Sequence, residues 1–192
     1  YNPWWGSMDI DIVSSRSTCR SMVDWLLRER GFQVEHHDGG RRHLRILEDG
    51  QRLYVDTESL QRTFRFQGRS EILDHTLLIE HHATRELRYA ITIDIPTRSL
   101  LLIMKLKAAW DRAHRMENVS NLEVHDREYL GKKIVKDKAD VIALLDPNRG
   151  GTELDIRFLG GQFERLGFLL ELLRTIPDDP LAIYRYNHEV GG

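Results

Sequence analysis

Apolar and polar residues alternate near the start of the chain. In Met8-Asp9-Ile10-Asp11-Ile12-Val13 aspartates are set against isoleucines with a period of two, which predicts a half-buried strand. Successive side chains of a strand point to opposite faces, so Asp9 and Asp11 project from one face, ~7 Å apart along the chain, and Ile10 and Ile12 face the core. The period then changes. Met22, Val23, Leu26 and Leu27 form one stripe of a helix that Ser15 or Ser17 caps, that runs to about Arg30 and that Gly31 stops. Three strand-like runs follow, 32–37, 43–47 and 52–56, with Gly39-Gly40 and Asp49-Gly50 as the turn signals between them. From 71 to 89 apolar and charged residues mix without a clean period; the expectation is a helical start and a strand end that continues into 90–95.

The second half reads as helical. After Pro96, Thr97 or Ser99 caps a helix reaching about Arg115, with Leu100, Ile103, Met104, Leu106, Ala108 and Trp110 covering much of its circumference. Lys105 and Arg112 lie seven residues apart, two turns along the same side. Residues 116–131 read as a polar loop, and a second helix spans about 132–145, ending before Pro147, with Lys136, Asp137 and Asp140 on adjoining turns. A short strand at 153–158 and a helix at 162–175, stopped by Pro177 and Pro180, carry no evident chemistry. The pattern predicts an α/β (α+β) chain: a sheet portion over 1–96 and a helical portion over 97–192 packed on it as one structural unit.

Composition narrows the classes. With 41% hydrophobic and 30% charged residues the chain reads as a soluble globular protein, and a net charge of -2 does not mark it as a nucleic-acid binder. The single cysteine, Cys19, excludes an intrachain disulfide and a cysteine-only zinc site, and fits a reducing cytoplasm. No apolar run approaches the ~18 residues of a membrane span, and the N-terminus has no signal-peptide pattern. His36-His37 and His81-His82 are neighbours on strand-like runs, so each pair faces opposite ways and reads as structural or solvent-facing, not as a metal site.

The candidate chemistry lies in the first strand. Aspartate is depleted in strands and two like charges side by side repel, so two carboxylates on one face call for a divalent cation. The competing reading is a half-exposed strand whose outer face is acidic. The Asp-x-Asp strand between apolar residues, with Ser7 two residues before it and a helix soon after, resembles the nucleotidyltransferase superfamily. A second stretch carries the likeness. Lys105-Leu106-Lys107-Ala108, Arg112 and Lys136-Asp137-Lys138-Ala139-Asp140 resemble the helical half of the AbiEii-like, toxin-antitoxin branch of that superfamily.

The resemblance covers Gly6 to about Leu145 and implies a nucleotidyltransferase-like mixed sheet with flanking helices. It implies Asp9 and Asp11 as metal-binding carboxylates, with Asp56, at the end of Leu53-Tyr54-Val55-Asp56, completing a triad from a neighbouring strand; Asp94 is the competitor for that third place. Ser7, Lys105, Arg112 and Asp137 are implied at the nucleotide, whereas Lys107 and Lys138 read as ordinary solvated charges. Two Mg²⁺ (or Mn²⁺) ions and an NTP are implied, with NMP passing to a hydroxyl of a tRNA, protein or small molecule. A cognate antitoxin or a second copy is the implied partner.

Members of the superfamily carry a Gly-Gly or Gly-Ser helix ~10 residues before the Asp-x-Asp strand, where backbone amides meet phosphate. Gly6-Ser7 lies too close to Asp9 to be that pair, so the chain is expected to lack the helix; alternatively Gly6-Ser7-Met8 is a cloning remnant before a native start. The rival functions are a catalytically inactive binding or regulatory protein of the same fold and a metal-dependent nuclease using the same carboxylates.

Overall fold

The computed structural model describes residues 9–37, 40–61, 63–74, 76–86, 90, 92–149 and 151–190. Ser7 and the Gly39 turn lie outside them. The class is mixed α/β with a helical C-terminal half, as the pattern predicts. Contacts divide the chain into units 1–63 and 64–192. The division thus falls before the expected boundary at 96, because the strands of 64–96 pair only among themselves among the described residues.

In the first unit, β1 (Asp9–Ser14), α1 (Arg16–Glu29), β2 (Gln33–His37), β3 (Gly40–Ile46) and β4 (Arg52–Ser59) form a sheet of order β1-β4-β3-β2 and one helix. Ser15 caps α1 by accepting from the Thr18 amide, and Gly31, at φ 67°, follows the helix in the left-handed conformation that an L side chain resists. The Asp49-Gly50 signal is a turn, with Asp49 accepting from the Gln51 amide at 3.0 Å. Of the stripe on α1, Leu26 is buried against Phe32 and Val55, with Met22, Leu27, Ile12 and Leu53 around them. Ile10 departs from expectation: it is 45% exposed, because β1 is an edge strand and the α1 cluster closes over Ile12 instead.

In the second unit, β5 (Phe64–Arg65) pairs with β6 (Ile72–Leu73), and after the short α2 (Leu77–Glu80), β7 (His82–Glu86) pairs with β8 (Thr92–Pro96). β7 and β8 are antiparallel partners, so the expected continuous strand into 90–95 is instead a hairpin. Thr97 caps α3 (Arg98–Asn118) by accepting from the Leu100 amide. The expected loop at 116–131 is shorter than read, 119–123: α4 (Val124–Leu145) starts eight residues before Lys132, since burial of Leu130 and Ile134 on α4 holds the extra turns despite their polar composition.

The tail also differs. The expected strand at 153–158 is a turn and the start of α5 (Ile156–Arg165), capped by Asp155, whose carboxylate accepts from the Phe158 amide. The chain breaks at Leu166 into α6 (Gly167–Thr175), and Pro180 opens α7 (Pro180–Arg185) rather than only stopping a helix. The core of this unit joins Leu102, Ile103 and Leu106 of α3 to Val141 of α4, Leu159, Leu166, Leu169 and Ile176. Each such side chain contributes roughly 1.5–3 kcal/mol by leaving water, and the cluster here has ten buried apolar residues against three in the cluster of the sheet unit.

Two glycines make this testable. Gly131 lies inside α4 with open space where a Cβ would stand, so Gly131→Ala should stabilise by about 0.5–1 kcal/mol through the unfolded-state entropy of glycine. Gly68, at φ 71°, would set a Cβ 2.1 Å from the His114 ring, so Gly68→Ala should destabilise. Urea unfolding of the two variants should shift in opposite directions.

Candidate carboxylate site and the charged helix pair

Parallel pairing of β1 with β4 sets Asp9 opposite Tyr54, Ile10 opposite Val55 and Asp11 opposite Asp56. Cross-strand partners share a face, so Asp9, Asp11 and Asp56 all stand on the side of the sheet away from Val55 and the α1 cluster. Asp56 therefore lies beside the Asp-x-Asp pair, where the resemblance implied a third carboxylate. Asp94 belongs to the second unit, on the β7–β8 hairpin, where it accepts from Thr84 Oγ1 at 2.7 Å.

The row continues across the sheet. β3 pairs antiparallel with β4, and Arg42 donates from Nε to Asp56 Oδ2 at 3.1 Å; on the next strand Glu35 is the partner of Arg42. The guanidinium also lies 5.5 Å from the centre of the Tyr54 ring, which favours a cation over its face. Asp56 Oδ1 is shut off from solvent and has no hydrogen-bond partner among the described residues. A buried carboxylate oxygen without a partner is unfavourable by roughly 1–3 kcal/mol or more, and a cation between Asp56 and Asp11 would relieve it. Carboxylates are hard oxygen donors of the kind that Mg²⁺ and Mn²⁺ take. Among the described residues no group of three or more His, Cys, Asp or Glu is drawn tightly enough to enclose a metal ion.

Sequence reasoning missed Arg42 and Tyr54. The signal was present in alternation, since Tyr54 shares parity with Asp56, but Arg42 needed the β3–β4 register.

In the second unit, α3 and α4 pack side by side and their charges meet. Arg112 pairs with Asp137, which is buried at 4% exposure, and Lys105 Nζ lies 2.7 Å from Asp140 and 4.0 Å from Asp137. Burial pushes the Arg112 guanidinium down from its ordinary value, and the Tyr129, Asp111 and Asp140 charges pull it back. Lys105, Arg112 and Asp137 are thus brought together as an ion-pair clamp between two helices.

Lys107 and Lys138 are not solvated charges, contrary to expectation. The Lys107 ammonium is buried, donating to the Arg65 carbonyl at 3.1 Å and to Asp111, and lies 4.9 Å from the Phe66 ring centre. Trp110 Nε1 donates to the Gln67 carbonyl and Asp111 accepts from the Gln67 amide, so α3 holds the β5–β6 turn through three neighbouring side chains. Lys138 bonds Asp179 at 2.7 Å, tethering the N-cap of α7 to α4. His81 packs at a tilt against the Phe158 ring and His82 bonds the Ile79 carbonyl, so that pair is structural as read, and the side chains of His36 and His37 lie outside those described. An open surface hollow of about 410 Å³, lined by 65–70, contains none of the expected site residues.

No family model, characterised protein or solved structure gives a match to this chain.

Two stability outcomes follow from the clamp. Asp137→Asn leaves Arg112 partly buried without its counter-charge and should destabilise toward the lower end of roughly 3–5 kcal/mol, whereas Lys105→Met, at a half-exposed position, should be within about 1 kcal/mol of the parent in urea unfolding. Lys136 tests the sign of a pH effect. Burial lowers its ammonium pKa, Asp140 raises it, and Lys105, Lys133 and Arg185 lower it further. A lysine with a depressed folded-state value binds fewer protons when folded, so stability rises with pH between the folded value and the unfolded value of ~10.4. Lys136→Met should therefore raise the melting temperature at pH 7, with the gain shrinking as pH rises through the depressed folded value and gone above ~10.4.

Proposed function

We propose that this chain is a metal-dependent nucleotidyltransferase moving NMP from an NTP to a hydroxyl acceptor, with Asp9, Asp11 and Asp56 as the carboxylate centre. The observation that supports this most is the β1–β4 register, which sets Asp11 and Asp56 side by side on the face opposite the core with Asp9 one step along. The orphaned Oδ1 of Asp56 is the second support. Asp9, Asp11 and Asp56 would hold Mg²⁺, which when bound would supply charge to polarise the triphosphate and to favour deprotonation of the attacking hydroxyl. The protein's part is to hold the carboxylates on a paired backbone, so that their separation is set by strand spacing and not by flexible loops.

Lys105, Arg112 and Asp137 we assign first to the α3–α4 clamp, since each has its counter-charge within the helix pair. A toxin-antitoxin setting and a cytoplasmic location belong to this proposal as consequences of the resemblance. None of the described helices is long and apolar enough to cross a membrane.

One observation favours a second reading. Arg42 already neutralises one oxygen of Asp56, as it would in a regulatory protein of this fold that no longer transfers nucleotides. Label transfer from a radiolabelled NTP with Mg²⁺ decides between them. Asp11→Asn and Asp56→Asn should each lower transfer by at least ~100-fold, because a negative ligand is lost while shape is kept. Without metal the melting temperature of Asp11→Asn should hold or rise, since Asp11 and Asp56 repel as neighbours. Asp56→Asn also removes the charge that Arg42 holds, so its melting temperature should fall slightly, by the equivalent of roughly 1 kcal/mol or less at these part-exposed positions. Transfer that survives both substitutions would remove the assignment, and degradation of nucleic acid without NTP would indicate the nuclease.

A further inference from the structure

Every lysine of the chain lies on α3 or α4: Lys105, Lys107, Lys132, Lys133, Lys136 and Lys138. Lys105 Nζ lies 2.7 Å from Asp140, Lys107 donates to Asp111, and Lys138 bonds Asp179 at 2.7 Å. Lys133 lies 5.5 Å from the centre of the Tyr129 ring, and Lys132 is exposed. Lys136 is placed differently. It is half-buried, and the charges that act on it come from three helices: Lys105 of α3, Lys133 and Asp140 of α4, and Arg185 at the end of α7. Lys133 and Asp140 stand one helical turn to either side of it, on the same face of α4. The Lys138–Asp179 bond ties the N-cap of α7 to α4, which holds the helix bearing Arg185 against this corner. Four cations meet there, and Asp140, the carboxylate among them, is already taken by Lys105.

We infer that Lys136 is an acylation site, its amine taking the acyl group of an acyl phosphate that Lys105, Lys133 and Arg185 draw in. The inference is independent of the carboxylate reading above. Two physical effects act together. Burial lowers the pKa of Lys136, Asp140 raises it, and Lys105, Lys133 and Arg185 lower it again, which favours the neutral amine with its free electron pair. The same cations concentrate an anionic reagent beside that amine. In the step, the nitrogen pair forms a bond to the acyl carbon, and the bond from that carbon to the phosphate oxygen breaks with its pair staying on phosphate. The amine proton passes to the departing phosphate. The products are an amide and inorganic phosphate, and the amide carries no charge where burial disfavours one.

The test incubates the full chain with acetyl phosphate in mildly alkaline buffer and follows each lysine by peptide mass spectrometry. Lys136 is expected to acetylate at least ~3-fold faster than the exposed Lys132, and added salt should shrink that preference by screening the cations. Lys133→Gln removes one of the gathering charges and should lower the Lys136 rate at least ~2-fold while leaving Lys132 unchanged. Lys105→Met serves if circular dichroism shows that the first variant has lost its helices. A neutral reagent, the N-hydroxysuccinimide ester of acetate, should favour Lys136 less than acetyl phosphate does. Labelling of Lys136 no faster than Lys132 would overturn the inference. So would a Lys136 preference that salt, the loss of a neighbouring lysine and the neutral ester all leave unchanged, because the surrounding cations would then play no part.

Discussion

The parallel pairing of β1 with β4 is the constraint on which the candidate chemistry depends. Register in a sheet is all-or-none for side-chain direction: a slip of one residue would turn Asp9 and Asp11 toward α1 and bring Ile10 and Ile12 out. What resists the slip is the small cluster of Leu26, Phe32 and Val55 with Ile12, Met22, Leu27 and Leu53, which accepts only one parity of each strand. A modest apolar core on one face thus places the carboxylates on the other. Like charges opposed across two strands disfavour the pairing, so the hydrophobic face also stabilises the strand pair against that repulsion.

Charge is used differently in the two units. On the sheet, the row Asp11, Asp56, Arg42, Glu35 runs across four strands and leaves one carboxylate oxygen without a partner among the described residues. In the helical unit, buried or half-buried charges meet opposite charges: Asp137 with Arg112 and Lys105, Lys107 with Asp111, Lys138 with Asp179. Helix pairing explains the first of these, which alone crosses the α3–α4 seam, Lys107–Asp111 being a pair within α3 and Lys138–Asp179 a tie from α4 to the cap of α7. Two long helices in contact place i, i+4 and i+7 side chains of one against the other, and a charge at that seam is tolerated only when its counter-charge is fixed there too. Charges spaced like a binding motif along one helix can therefore be a seam.

The alternation of Asp9-Ile10-Asp11-Ile12, a cap at 15 or 17, the glycine at 31, the Asp49-Gly50 turn and a cap at 97 or 99 were all legible in the sequence because each is set by a few neighbouring residues, and the structure chose Ser15 and Thr97 as the caps. The mixed α/β class followed from the same periods. Tertiary structure decided what depends on distant partners. Residues 116–131 looked polar until Leu130 and Ile134 found the core, and the second strand-like run near 90 became a hairpin only by pairing with β7. It also decided that Lys107 is buried, that Asp94 belongs with Thr84 and that Asp56 stands beside Asp11 with Arg42 on its Oδ2. Residue spacing sets direction along one element. Only the packing of elements sets which charges meet.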